Sequence, residues 1–443
     1  MQLSSLLGHT QELLGLVRES DRPADSVIDS FFRSHKYLGS HDRRFIAQTT
    51  YGSLRHLRRC EAVLQYSLGE SARDLKSPDG LLFIAIVYLL NIERTTPLKS
   101  EDILPKMSSP MPPQQCSNLL KRISSVGPIA ADNPVERIGI EYSFPDWMVT
   151  KFIDEFGEKE TEMICSSLNE QAPLTIRVNT LKTSIEQCQA ELKREGVATV
   201  RTGMSPIGLT IPKRLNVFQL EAFQGGLFEV QDEGSQLLPL FVDPKPTAKV
   251  LDACAGAGGK SLELAALMKN RGELFATDTN KFRIQELKKR ARRAGASNIR
   301  PMDVISIDDL HGKYRDYFDV VFVDAPCSGI GTIRRNPGMK WTVDETMVKE
   351  VSERQKQILQ SCSPLVKAGG KLVYATCTLF RQENEEVIDR FLSANPRFTL
   401  KNSAEAAKRI GIESAITNNV IKLMPQVHGT DGFFCAMLEK GVA

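Results

Sequence analysis

From about residue 236 onward the chain alternates short apolar runs with amphipathic segments, and no other feature restricts its fold as strongly. The runs KVLDA, GELFATD, NIRPM, FDVVFVDAP and GKLVYATC read as strands, and KSLELAALM, KFRIQELKKRARRAG and QENEEVIDRFLS read as the helices between and after them. Strand followed by helix, repeated, predicts a doubly wound parallel sheet over 236–443. Ligands of such sheets sit just beyond the carboxyl ends of the strands. Asp324, Cys327, Ser328 and Gly329 follow the fourth run and Cys377 leaves the fifth, so two strand-end cysteines can share one pocket.

The turn after the first strand, DACAGAGGKS from Asp252 to Ser261, places glycines at 256, 258 and 259, where backbone must approach a ligand. A phosphate-binding P-loop ending Gly259-Lys260-Ser261 would need glycine at 254, which is Cys254. A dinucleotide G-x-G-x-x-G beginning at Gly256 would need glycine at 261, which is Ser261. Nucleoside triphosphates and NAD are both disfavoured. Asp278 closes the second strand, where a carboxylate accepts both hydroxyls of a ribose, and Asp303 follows the third, placed for an adenine amino group. An adenosine-type cofactor fits, although each Asp alone is more often a cap or turn residue.

Upstream, residues 1–135 read as all-helical, with apolar positions at helical spacing in QELLGLVRE, DSVIDSFFRSH, DRRFIAQTTYGSLRHLRRCEAVLQYSL and GLLFIAIVYLLNIE. Met107 to Gln115 reads as a loop and Val126 to Val135 as a linker. Residues 136–235 turn to mixed α and β, with a helix near Pro145 to Phe156, a strand at LTIRVNTLK, a helix at SIEQCQAELKREG and a further helix opened by QDEGSQLLPL. A length of 443 residues suits two or three such domains. Nine cysteines without a C-x-x-C pair, and six histidines without ligand spacing, predict neither disulfides nor a metal site. The net charge of +3 makes any nucleic-acid surface local. Three candidates stand out: Arg43, Arg44, Arg55, His56, Arg58 and Arg59; the helix Lys281 to Arg293; and Arg334-Arg335. A solvated helix face is an equal reading of the first two. No secretory pattern opens the chain, and LLFIAIVYLL is about half a membrane span. The expected location is the cytoplasm.

These residues together resemble a known family, the S-adenosylmethionine-dependent RNA cytosine-carbon-5 methyltransferases, in particular the bacterial ribosomal RNA group of Sun/Fmu type with a NusB-like N-terminal domain. DACAGAGGK resembles the cofactor loop, DAPCSGIGTIRRNP the first cysteine motif and YATCTLFRQENEEVI the second. LTIRVNTLK resembles a strand of the central RNA-binding-like domain, and DRRFIAQTTYGSLR, more weakly, the NusB-like segment. The chain departs from the family in carrying Gly256-Ala257-Gly258 where Ala-Pro-Gly is usual, and in lacking the NusB-like pattern between about 70 and 135.

The resemblance implies an all-α NusB-like RNA-binding domain at 1–135, a small α+β RNA-recognition-like domain at 136–235 and a Rossmann-like catalytic domain at 236–443. It implies S-adenosylmethionine held by Cys254, Ala255, Gly256, Ala257, Gly258, Gly259, Lys260, Asp278, Asp303 and Asp324. It also implies a catalytic set of Cys377, Cys327, Asp324 and Lys260, with no metal. Cys377 matches the thiol that adds to carbon 6 of cytosine and makes carbon 5 nucleophilic. Asp324 matches the carboxylate on the base edge, and Cys327 the group that assists release of the product. The implied partner is RNA, with 16S-type small-subunit ribosomal RNA the first expectation, and the implied state is a monomer without membrane contact. Three rivals are a transfer RNA substrate, an assembly factor with an inert sheet domain, and a DNA cytosine methyltransferase. In the last the Pro-Cys thiol attacks and no Thr-Cys partner is expected, so Cys377 argues against it.

Overall fold

A computed structural model describes residues 1–20, 22–69 and 74–442, arranged as two compact units. One comprises Met1–Glu170 with Ile333–Asp344, the other Gln171–Thr332 with Glu345–Ala443. In the first unit helices form at Leu3–Glu19, Ala24–Ser34, Ser40–Arg55, Leu57–Leu68 and Pro78–Val87, so the long third segment is broken in two at His56. The apolar run lies at the centre because Leu81 to Val87 are all buried, among Leu7, Leu14, Ile46, Val63 and Leu120. Its start is fixed by Ser77, whose hydroxyl accepts the Gly80 N–H, with Pro78 in the first turn, and it ends in a single π-helical turn, Tyr88–Glu93. The loop expected at 107–115 is shorter than its composition suggests. A helix, Pro113–Ser125, begins inside it, since proline in a first turn loses no hydrogen bond. No helix among the described residues is long and apolar enough to cross a membrane.

The segment 333–344 completes this unit through Lys340, whose ammonium donates to the carbonyls of Arg55 (3.0 Å) and Ser143 (3.0 Å) and to Asn169 Oδ1 (2.6 Å). Trp341 Nε1–H donates to the Leu54 carbonyl at 2.7 Å. Chain spacing hid one cluster here. His9 and Glu12 on one helix and His35 at the end of the next bring possible metal-ligating atoms within 4.8 Å of one another.

The second unit opens with a small antiparallel sheet of β1 (Leu174–Val178), β2 (Val200–Arg201), β3 (Gly208–Ile211) and β4 (Phe228–Val230), ordered β2-β3-β1-β4. A mixed sheet follows: β5 (Lys249–Asp252), β6 (Glu273–Asp278), β7 (Ile299–Asp303), β8 (Phe318–Asp324), β9 (Val366–Thr376), β10 (Phe398–Leu400), β11 (Ile416–Thr417), β12 (Val420–Leu423) and β13 (Phe433–Lys440). Its order is β11-β12-β13-β9-β8-β5-β6-β7, with β10 on β13. The predicted parallel arrangement holds from β5 to β9, while the four C-terminal strands are antiparallel. Strand order reverses between β5 and β8, so a crevice opens beyond their carboxyl ends.

Candidate active site

Parallel pairing of β8 with β9 sets Asp324 opposite Ala375, and the Ala325 N–H donates to the Ala375 carbonyl at 2.8 Å. The two chains therefore leave the sheet side by side. Cys327 Sγ lies 3.3 Å from Cys377 Sγ and accepts the Cys377 backbone N–H at 3.3 Å. The loop after Cys327 folds back tightly enough that the Gly331 N–H donates to the Cys377 carbonyl at 3.0 Å. A Cβ at 331 would stand 2.3 Å from the Gly432 carbonyl oxygen, so no other residue fits.

Lys260, in the first turn of the helix Gly259–Leu267, donates to Asp324 Oδ2 at 2.6 Å. Burial works against its charge, but the Asp324 carboxylate outweighs that, so the ammonium is held above the ordinary lysine range. The hydrogen bond with Cys377 and then burial raise the Cys327 thiol well above the ordinary range, so it is protonated near neutrality. Asp252, at the end of β5, accepts from Ser261 Oγ at 2.6 Å and is pushed up to about 7 by burial.

The glycine turn meets the other side of the same cavity. Gly256 has φ +55°, its N–H donates to Asp278 Oδ2 at 2.9 Å, and the Asn280 N–H donates to Oδ1 at 2.8 Å. A Cβ at 256 would meet nothing within 4 Å, so this backbone is open to the cavity. Gly258 serves packing instead: its φ is +87°, and a Cβ there would lie 2.7 Å from Leu287 Cγ. The cavity, of about 970 Å³, is lined by Cys254, Ala255, Gly256, Ala257, Gly259, Lys260, Asp278, Asp324, Cys327 and Cys377. Burial raises the Cys254 thiol well above its ordinary range, which leaves it a neutral wall residue. Asp303 is in register with Asp278 but does not line the cavity; its half-exposed carboxylate lies 3.9 Å from Lys281 Nζ. These residues fit an adenosine-type methyl donor. The volume is of ligand size, the Gly256 backbone is open, and Asp278 is an organised acceptor at the end of the second strand.

Sequence reasoning passed over several groups around this site. Arg177, near the end of β1, is buried and donates to Glu263 Oε2 and the Gly259 carbonyl, each at 2.9 Å, which anchors the helix carrying Lys260. Burial, only partly offset by Arg177, raises Glu263 to about 7. A polar residue inside an apolar strand was the available signal for Arg177, and a carboxylate on the inner face of a helix the signal for Glu263. Glu383, fully buried beneath the cysteines, had no local signal.

The basic candidates change more. Among the N-terminal set Arg58 pairs with Asp146 (2.5 Å), Arg59 donates to the Gly127 carbonyl (2.6 Å), Arg43 to the Leu38 carbonyl (2.9 Å) and Arg55 to the Arg334 carbonyl (2.8 Å). Burial, with Lys340 and Arg55 nearby, lowers His56 to about 3, so it is neutral. This edge holds the helical unit together, and Arg44 is its exposed member. Arg334 is buried as well. On the helix Lys281–Ala294, Arg290 and Arg293 pair with Glu229 at 3.0 and 2.5 Å, leaving Lys281, Arg283, Lys288, Lys289 and Arg292 exposed.

The parallel sheet, its glycine turn, the acidic end of β6 and the strand-end cavity define an S-adenosylmethionine-dependent methyltransferase with a Rossmann-like core. Residues 239–439 match the family described as 16S rRNA methyltransferase RsmB/F, and residues 144–218 match the ferredoxin-like domain of RsmF/B-like methyltransferases. A Bacillus subtilis protein named "Probable ribosomal RNA small subunit methyltransferase B" is 36% identical over 313 residues, covering 70% of each chain. A Synechocystis protein of the same name is 29% identical over 96% of this chain and 97% of its own. Among solved structures, PH0851 superposes with a TM-score of 0.78 at 28% identity over 99% of each chain. A methyltransferase homolog from Pyrococcus horikoshii gives 0.59 at 27% identity, covering 70% of this chain and all of that one. The chain belongs to the RsmB/F methyltransferase family.

Proposed function

We propose that this protein methylates carbon 5 of a cytosine in small-subunit ribosomal RNA, with Cys377 bonded covalently to carbon 6 during the reaction. The observation that carries this reading is the pair of sulfurs 3.3 Å apart at adjacent strand ends, facing one cavity with the Lys260–Asp324 pair and the glycine turn. S-adenosylmethionine, which the 254–260 turn, Asp278 and Asp324 would hold, would supply the electrophilic methyl group.

Cys327 keeps its proton, so its S–H is the donor and the Cys377 sulfur, which attacks as thiolate, the acceptor. That thiolate forms a bond to carbon 6, and the ring's electron density moves to carbon 5. Asp324, kept in place by Lys260, contacts the base edge and stabilises charge on the ring. Once the Cys377 sulfur is bonded to carbon it is a neutral thioether and a weaker acceptor, so it holds the Cys327 proton less firmly. The Cys327 thiol can then lose its proton to solvent and take the one on carbon 5. As that C–H bond breaks, the carbon–sulfur bond breaks with it and Cys377 leaves as thiolate.

The segments 1–135, 136–235 and 236–443 are assigned to RNA capture, RNA positioning and chemistry. The protein is assigned to act as a cytoplasmic monomer, and the reaction is assigned to sulfur and carboxylate groups without a metal. Incubating it with unmodified small-subunit RNA and reading carbon-5 methylation by bisulfite sequencing is the test. Methyl transfer to transfer RNA alone would overturn the substrate, and cofactor binding without transfer to any RNA would leave an assembly factor.

A further inference from the structure

We propose that Glu383 is a positioning residue that fixes the two reactive cysteines against each other, an inference that rests on the roles just given to Cys377 and Cys327. Glu383 belongs to a short 3-10 turn, Arg381–Glu383, after the second cysteine motif and is fully buried. Its Oε1 accepts the Ser328 backbone N–H at 2.8 Å and Gln355 Nε2–H at 3.1 Å. Its Oε2 accepts the Ser328 hydroxyl at 2.5 Å and the Thr378 hydroxyl at 2.9 Å. Ser328 follows Cys327 and Thr378 follows Cys377, so one carboxylate ties together the residues beyond both sulfurs.

Neighbouring groups extend the grip to the other side of each cysteine. Gln355 Nε2–H also donates to the Pro326 carbonyl at 3.0 Å, directly before Cys327. Asn384 Oδ1 accepts the Thr376 hydroxyl at 2.6 Å, and its Nδ2–H donates to the Thr378 carbonyl at 3.2 Å, bracketing Cys377. Tyr374 closes the arrangement by donating to the Glu383 carbonyl at 2.6 Å.

A buried carboxylate is costly unless several donors satisfy it, and an apolar residue would fill the same space at lower cost. Glu383 has four donors and no ion pair among the described residues. What an apolar side chain cannot do is bond two loops at once. Attack and release use two sulfurs on one base, and a misplacement of about 1 Å at such a centre costs on the order of a hundredfold in rate. Glu383 sets that spacing without touching the base.

The test is Glu383→Gln in the full-length protein, which keeps the shape but turns an N–H2 group toward two of the donors. Ser328→Ala and Thr378→Val each remove one hydroxyl and serve should the first variant fail to fold. The expected result is unchanged S-adenosylmethionine affinity by calorimetry and an unchanged KM for RNA. The single-turnover methylation rate should fall by about ten- to a hundredfold. Diamide adds a readout of geometry independent of RNA: it takes two electrons and both thiol protons from Cys327 and Cys377 as their disulfide forms. That oxidation should slow in Glu383→Gln. Wild-type rates of both reactions in a folded variant would overturn the inference, as would loss of cofactor affinity and melting temperature in step with activity. Full methylation by Cys377→Ala would instead sink the assignment of cysteine roles on which the inference rests.

Discussion

The site places two sulfurs side by side and the reaction gives them different tasks, with hydrogen bonding and burial keeping the proton on Cys327. Removing either should therefore fail in a different way. Cys377→Ala leaves no thiolate to activate the ring, so methyl transfer should be abolished and no covalent complex form. In Cys327→Ala the attack remains but elimination slows, so a protein–RNA complex that survives denaturing electrophoresis should accumulate. An adduct trapped by Cys377→Ala and absent from Cys327→Ala would reverse the roles and indicate the DNA-type mechanism. On the cofactor side, Asp278→Ala removes charge-assisted hydrogen bonds of about 1.5–3 kcal/mol, which corresponds to a loss of one to two orders of magnitude in S-adenosylmethionine affinity. Unchanged calorimetric affinity in a folded Asp278→Ala protein would take that carboxylate out of the site.

Elements hold these residues in place, and the elements differ in how plainly the sequence announced them. The β5, β6, β8 and β9 runs were visible because each is apolar, short and bounded by turn residues, and their carboxyl ends carried the site with them. The antiparallel edge was not. Asn418 and Asn419, both at positive φ, make a tight hairpin turn between β11 and β12, strands of two and four residues that are too short for any periodicity to register. Arg177 with Glu263, and Glu383 with Ser328, are pairings between distant segments that composition cannot reveal. Burial at the end of β5 also has a consequence for stability. Asp252 titrates near 7 in the native state and at about 3.9 in an unfolded chain. Between those values the native state holds a proton that the unfolded state has released, so this group's contribution to stability falls as pH rises from about 4 to 7 and is flat above. Asp252→Asn abolishes that loss, and its melting temperature should gain on the parent's between pH 5 and pH 8. An offset independent of pH would mean that Asp252 titrates as it does in water.

At the scale of the whole molecule a net charge of +3 gives little general attraction for RNA, so affinity must come from wherever cations cluster in solvent. The arginines of the helical unit's basic edge largely commit their donors to backbone carbonyls and carboxylates within that unit, whereas five basic residues of the helix Lys281–Ala294 stand exposed. The two groups should therefore respond to substitution in opposite ways. Replacing Lys281, Lys288, Lys289 and Arg292 by glutamine should weaken RNA binding and reduce the salt dependence of affinity, by about 0.7 to 0.9 in the log–log slope for each phosphate no longer neutralised. The melting temperature and S-adenosylmethionine affinity should hardly change. Replacing Arg58 and Arg59 should lower the melting temperature, because the Phe144 and Gly127 carbonyls lose their donors. Binding isotherms at several salt concentrations, set beside thermal unfolding of the same proteins, separate the two effects. A salt slope that falls with Arg58 and Arg59 and ignores the helix would return the RNA surface to the N-terminal helices.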